Sequence, residues 1–229
     1  MKTNSNSYTI IYASVMVIIV AFVLAFTSAS LKPTQNKNIE LDKMKQILHA
    51  LNVDTKGKDA DKLYKQYVKQ DLIFNEKGDT LKTEGGFKID IASELSKPAA
   101  DRQLPLYVCD VDGKTKYVIP LSGAGLWGPI WGYVGLNEDR NSIFGVYFSH
   151  ASETPGLGAE IASEKFQAEF SGKKVLKDGK IFLGVEKFGK VEDPNYQVDG
   201  ISGGTITSKG VDAMIKKCMS GYTKFLTSK

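Results

Sequence analysis

From Tyr8 to Ala29 the chain reads YTIIYASVMVIIVAFVLAFTSA without a single charge, and Ile, Val, Leu, Phe and Ala dominate from Ile10 to Phe26. At about 1.5 Å of rise per residue, about 20 such residues cross a hydrocarbon core roughly 30 Å thick, so this segment predicts a membrane-spanning helix. A cleaved secretory signal, for which Ser28-Ala29-Ser30 would be the small-residue cleavage site, is the competing reading, but its apolar core is usually shorter. A buried helix of a soluble domain would carry a polar stripe, and none is present. Tyr8 and Tyr12 suit the interface at the near end of the span.

The remaining chain has a different character, because every charged residue except Lys2 lies beyond position 30. With 42% hydrophobic and 24% charged residues and only two cysteines in 229 residues, the chain as a whole is neither disordered, collagen-like nor a disulfide framework. A net charge of +4 without a Lys/Arg cluster gives no footprint for nucleic acid. Lys2 and the amino terminus on one side, against Lys32 and Lys37 on the other, nearly balance the positive-inside bias. A short polar leader ahead of one span followed by a folded domain favours the amino terminus inside and the domain outside. Cys109 and Cys218 each sit among apolar neighbours, which fits buried free thiols and leaves one disulfide open.

Residues 1–30 are thus expected to form a leader and transmembrane helix, and 31–38 (LKPTQNKN) a linker in which Pro33 stops the helix. Residues 39–75 predict two juxtamembrane helices, one marked by Ile39, Met44, Ile47, Leu48 and Leu51, the other spanning Asp59 to Phe74 with Leu63, Tyr67 and Ile73. His49 among the leucines is expected to be structural. Residues 76–229 predict one α+β domain with an antiparallel sheet. Within it, LPLYVCDV (104–111) and TKYVIPL (115–121) flank Asp112-Gly113, a hairpin signal. Further strands are expected at Pro129 to Leu136, Ile143 to Ser149 and Lys180 to Lys187, with a helix near Ser163 to Phe170. A last helix over Ser208 to Leu226 carries a stripe of Val211, Met214, Ile215, Cys218, Met219, Tyr222, Phe225 and Leu226.

Two glycine motifs fail on context. Gly123 to Gly128 satisfies G-x-G-x-x-G, but a β-like run with Pro129 and Trp131 follows instead of the helix that a dinucleotide site requires. Gly200 to Gly204 satisfies G-x-S-x-G and precedes a helix, yet both histidines, His49 and His150, come before the serine rather than after it, which excludes the usual hydrolase order. Two histidines without a cysteine cluster leave no zinc site. A third reading takes Asp199 to Ser208, DGISGGTITS, as an anion cradle: the glycines admit close approach to backbone N–H groups, the following helix offers unpaired donors, and the hydroxyls of Ser202, Thr205, Thr207 and Ser208 add more. An ordinary Gly-rich loop with a Ser/Thr helix cap fits the same residues.

Asp199-Gly200-Ile201-Ser202-Gly203-Gly204-Thr205 resembles the D-x-x-S/T-G-A-T motif of the FMN-binding domains of sodium-translocating NADH:quinone reductases and their Rnf relatives, with Gly204 in place of the usual alanine. His150 to Gly158, HASETPGLG, resembles that family's H-x-x-E-T-P-G-L-G loop, and Ser122 to Tyr133 resembles the G-x-G-L-W segment of its C-type members more than the Rnf branch. The resemblance implies FMN esterified through its phosphate to Thr205 by a separate flavin transferase that uses FAD and Mg²⁺. It implies Ser202, Gly203, Gly204, Thr207 and Ser208 around the phosphate, Glu153, Thr154, Gly156 and Leu157 along the ring, and Leu126 and Trp127 nearby. Pro155-Gly156 suits a type II turn that would present Leu157 to a flat ring. No residue is assigned a catalytic or metal-binding role, and no NADH, quinone or sodium site is evident. Those functions would fall to partners in a six-subunit translocase of the bacterial inner membrane, with electrons passing between an iron–sulfur centre and another flavin subunit. An Rnf-type flavoprotein subunit and a noncatalytic, membrane-anchored phosphate-binding module are the alternatives.

Overall fold

The structure, a computed structural model, describes residues 5–228; Met1 to Asn4, including Lys2 of the charge comparison, and Lys229 lie outside the described residues. Helix α1 (Asn6–Ala50) holds the apolar segment. It is long and apolar enough to cross a membrane, and its large apolar residues from Ile10 to Phe26 are 48% to 71% exposed, as a lipid-facing surface would be in water. The expected stop at Pro33 is not there: the helix continues through 31–38 without a linker. A proline inside a helix deletes one hydrogen bond and crowds one carbonyl, costing about 3 kcal/mol, yet the helix runs on past it to Ala50. The chain divides into two units at Lys43/Met44.

In the second unit, Ile47, Leu48 and Ala50 at the end of α1 are fully buried. The second expected helix is half helix and half strand: α2 (Ala60–Tyr67), capped by the Asp59 carboxylate, gives way to β1 (Val68–Phe74). The helical spacing of Leu63, Tyr67 and Ile73 loses to a ladder with β3 (Leu104–Val111), a partner distant in the chain that local periodicity cannot show. Strand β2 (Thr80–Lys82) pairs with the other edge of β1, and the short helix α3 (Ile91–Leu95) precedes β3.

The hairpin forms as its turn chemistry dictates. Asp112 (φ 55°) and Gly113 (φ 75°) supply the two positive φ values of a tight turn into β4 (Lys114–Ala124), and β5 (Pro129–Leu136) and β6 (Ile143–His150) complete an antiparallel sheet of order β2-β1-β3-β4-β5-β6. Helix α4 (Glu164–Ala168) follows. The strand expected over Lys180 to Lys187 is broken at Phe182, because its first part, β8 (Lys180–Ile181), pairs with β7 (Leu176–Lys177), whereas β9 (Gly184–Glu186) pairs in parallel with β10 (Gln197–Asp199). The final helix starts earlier than expected and breaks once: α5 (Thr205–Ser220), then α6 (Thr223–Thr227).

Alternation along the strands builds two cores. Leu106, Ile119, Leu121, Ile130 and Phe148 face α5, with Val211, Met214, Ile215, Cys218 and Met219. Tyr107, Cys109, Val118 and Tyr133 face the end of α1. Cys109 and Cys218 therefore occupy opposite faces of the sheet, and both are free thiols. Burial pushes Cys109 up to about 12 and Cys218 up to about 11, so neither is a reactive thiolate.

Candidate functional site

Three loops meet at the amino end of α5. The first is the β4–β5 connection, closed by the Gly125 N–H donating to Gly128 O at 2.8 Å. A strand follows it, so the dinucleotide reading fails in the structure as in the sequence. Leu126 and Trp127 at its tip are 47% and 65% exposed.

The second loop leaves β6 and is tied to the first: the Ala151 N–H donates to Pro129 O at 3.0 Å, and Ser152 Oγ donates to Trp127 O at 2.8 Å. His150 accepts the Glu153 N–H on Nδ1 at 3.1 Å, a structural bond. Thr154 to Leu157 form the anticipated turn, with the Leu157 N–H donating to Thr154 O at 3.1 Å and Gly156 at φ 74°. Leu157 stands out at 43% exposure.

The third loop is Asp199 to Gly204. Asp199 Oδ1 accepts the Gly189 N–H at 2.8 Å, the Gly200 N–H donates to Glu186 O at 2.8 Å, and Ser208 Oγ accepts the Ile201 N–H at 2.9 Å. Gly203 has φ 77°, and a Cβ there would strike Leu157, which places the second and third loops in contact. The Ser208 N–H donates to Gly204 O at 2.9 Å, the first α-helical bond, so α5 begins at Thr205, ahead of the expected start at Ser208. Gly204 is the cap residue, and no side chain caps this terminus. Helices leave their first N–H groups without an intrahelical partner, so the half-buried Thr205 sits among unpaired donors at the positive end of the helix.

Gly203, Gly204, Thr205, Leu157, Leu126 and Trp127 are thus brought to one patch, with Ser202, Thr154 and Gly156 exposed on the same loops. Thr207, Ser208 and Glu153 are turned inward instead. Thr207 Oγ1 donates to Glu153 Oε2 at 2.5 Å, Ser208 Oγ donates to Gly204 O at 2.9 Å, and the Trp127 N–H donates to Glu153 Oε1 at 2.8 Å. Burial is the largest single influence on Glu153 and raises its pKa, but the hydrogen bonds from Thr207, Trp127 and Leu126 outweigh it and hold the carboxyl below its ordinary value. Sequence reasoning missed Ile206, 58% exposed beside Thr205; its one signal was an isoleucine lying off the apolar stripe of α5. Among the described residues no cluster of His, Cys, Asp or Glu could hold a metal ion. The clefts lined by Phe74, Tyr117 and Arg140 and by His49, Asn52 and Gln167 share no residue with these loops.

The patch suits a ligand with an anionic end and a flat apolar body: backbone donors without Cβ obstruction lie beside four exposed apolar side chains, Leu126, Trp127, Leu157 and Ile206. The FMN-binding domain family matches residues 125–220, the stretch from the first loop to the end of α5, so fold and site together define an FMN-binding flavoprotein domain. The solved C subunit of the Na(+)-translocating NADH-quinone reductase from Parabacteroides distasonis superposes with a TM-score of 0.80 at 44% identity, covering 87% of this chain and 98% of that one. NqrC of Shewanella oneidensis gives a TM-score of 0.70 at 25% identity, covering 82% and 97%. The C subunit of the Haemophilus ducreyi reductase is 30% identical over 93% of this chain and 89% of its own length. The chain belongs to the NqrC family, the C subunits of the Na(+)-translocating NADH-quinone reductases.

Proposed function

We propose that the chain is the electron-carrying C-type subunit of a sodium-translocating NADH:quinone reductase, with FMN held covalently through a phosphoester on Thr205. The observation that carries this reading is the position of Thr205: a hydroxyl heading α5, at a terminus without a side-chain cap, flanked by Gly203 and Gly204 and by exposed Leu126, Trp127, Leu157 and Ile206. The unpaired N–H groups of the first turn would hold the phosphate, and the four apolar side chains would shield the ring from water. When bound, FMN supplies the redox chemistry; the protein supplies its place and its electrostatic surroundings.

Ser202, Gly203 and Gly204 then line the phosphate, Thr154, Gly156 and Leu157 the ring, and Thr207, Ser208 and Glu153 hold these loops from beneath. A separate flavin transferase, drawing on FAD and Mg²⁺, installs the cofactor. On this reading FMN held here would carry electrons between an iron–sulfur centre and another flavin subunit of a six-membered assembly, and the NADH and quinone sites would lie on partner subunits. Residues of α1 between Tyr8 and Ala29 anchor the chain in the inner membrane, with the amino terminus inside and the domain outside.

Full-length chain produced together with a flavin transferase is expected to give a fluorescent band on a denaturing gel under ultraviolet light, and Thr205→Ala to lose it completely while keeping the wild-type melting temperature. A dark wild-type band would sink the covalent reading. Fluorescence persisting in Thr205→Ala would move the attachment elsewhere. The Rnf-type alternative would show itself by copurification with ferredoxin-linked instead of quinone-linked partners.

A further inference from the structure

Glu153 is only 5% exposed, although it belongs to a loop whose neighbours Ser152, Thr154 and Pro155 are exposed or form its outer turn. Its two oxygens serve different loops: Oε1 accepts the Trp127 N–H at 2.8 Å and Oε2 accepts the Thr207 hydroxyl at 2.5 Å, and the Leu126 N–H is directed at the same carboxylate. The Trp127 and Leu126 N–H groups can only donate and the Thr207 hydroxyl donates here, so the centre calls for an acceptor, and an ionised carboxylate is the side chain that accepts on both atoms. The seat is cut to fit. A Cβ at Gly125 would meet Oε1, and a Cβ at Gly158 would meet Oε2 and Thr207 Oγ1. Neither glycine has a left-handed φ, so the backbone does not demand glycine at either position; the close approach of the carboxylate does, together with Ile130 at Gly125 and Thr207 at Gly158.

We propose that Glu153 is a positioning residue for the flavin site: its carboxylate locks the Leu126–Trp127 tip, the Thr154–Gly158 turn and the first turn of α5 into one arrangement, which fixes Thr205 relative to the apolar side chains around it. The proposal rests on the flavin reading of Thr205 for its consequence, but the lock itself is a property of the chain without cofactor. The tip and the second loop are also joined by the Ala151 N–H to Pro129 O and by Ser152 Oγ to Trp127 O, but the first turn of α5 would otherwise move relative to both, because among the described residues Glu153 is the hydrogen-bonded link between the tip and Thr207. A buried acceptor that satisfies donors from two distant segments removes that freedom, and losing it leaves the donors unpaired.

Three variants separate geometry from charge. Glu153→Ala removes every side-chain bond. Glu153→Gln keeps an oxygen for the backbone N–H groups and turns its NH₂ toward Thr207 Oγ1, which can accept in place of donating. Thr207→Val, nearly isosteric, removes only the α5 arm. In the full-length chain purified in detergent without flavin transferase, amide hydrogen exchange is expected to accelerate about tenfold in Glu153→Ala over both 124–130 and 203–209, and in Thr207→Val over 203–209 alone, while Glu153→Gln stays near wild type. In chains made with the transferase, covalent flavin per folded protein is expected to fall severalfold in Glu153→Ala and to recover in Glu153→Gln. Unchanged exchange over 203–209 in Glu153→Ala and Thr207→Val would overturn the lock, as would a Gln variant as defective as the Ala variant. A wild-type chain that remains dark would refute the flavin reading, and the exchange measurements would still decide on Glu153.

Discussion

The two ends of α5 are built on opposite principles. From Val211 onward, Val211, Met214, Ile215, Cys218 and Met219 are 1% exposed or less and pack against the sheet. In the first turn, Thr205 is half-buried, Ile206 is exposed, and the two buried residues, Thr207 and Ser208, are polar and satisfied by hydrogen bonds. A fully buried aliphatic side chain contributes about 1.5–3 kcal/mol, whereas a missing side-chain cap costs about 1 kcal/mol. The carboxyl half therefore secures the helix with stability to spare, and the amino end can go without a side-chain cap. An uncapped terminus is stable when the far end of its own helix is core.

That division predicts how the two halves respond to mutation. The largest effect is expected from Ile215→Ala, which empties a fully buried position and lowers stability by about 2–5 kcal/mol, read as a drop in thermal midpoint. If Thr205 carries FMN as proposed, covalent flavin per folded chain is expected to stay at the wild-type level; a parallel loss of attachment at equal folded fraction would show that the halves are not separable. Tyr222→Phe comes next. The Tyr222 hydroxyl is buried and donates to Pro105 O at 2.7 Å, so its removal strands a buried carbonyl and costs about 1–3 kcal/mol. The same independence from flavin attachment is expected, because Tyr222 lies beyond the end of α5, on the core side.

The same division explains what was readable in the chain and what was not. The stripe from Val211 to Leu226 and the hairpin at Asp112-Gly113 are local patterns, a period of 3.6 and a turn needing positive φ, and both stand in the structure. The loops at 123–128, 150–158 and 199–205 were visible as glycine clusters, and the structure brings them together. Tertiary pairing was not visible: Val68 to Phe74 looked helical until β3 claimed it, and Pro33 looked like a stop in a helix that passes through it. The inward turn of Thr207 and Glu153 was equally hidden. Both residues carry donors or acceptors that fit an exposed ligand site as well as a buried bond, and the bond joins positions 54 apart. Composition names the groups, but only the fold decides which of them face solvent.

The smallest expected effect tests the polar end through its charge. The Glu153 carboxyl is held below its ordinary pKa: burial, the strongest individual influence, works against this, and the hydrogen bonds from Thr207, Trp127 and Leu126 prevail. A carboxyl whose pKa is lower in the folded than in the unfolded chain binds more protons unfolded, so it adds stability as pH rises. Its contribution is complete above the unfolded value of about 4.3 and is lost as pH falls through the lower, folded value. Glu153→Gln cannot titrate. The gap in thermal midpoint between wild type and Glu153→Gln is therefore expected to be widest near pH 7 and to shrink steadily from about pH 5 downward, whereas the gap between wild type and Ile215→Ala stays constant over the same range. Equal pH dependence in wild type and Glu153→Gln would mean that the first turn of α5 draws no stability from an ionised partner, and the contrast between a polar end and an apolar end would lose its electrostatic half.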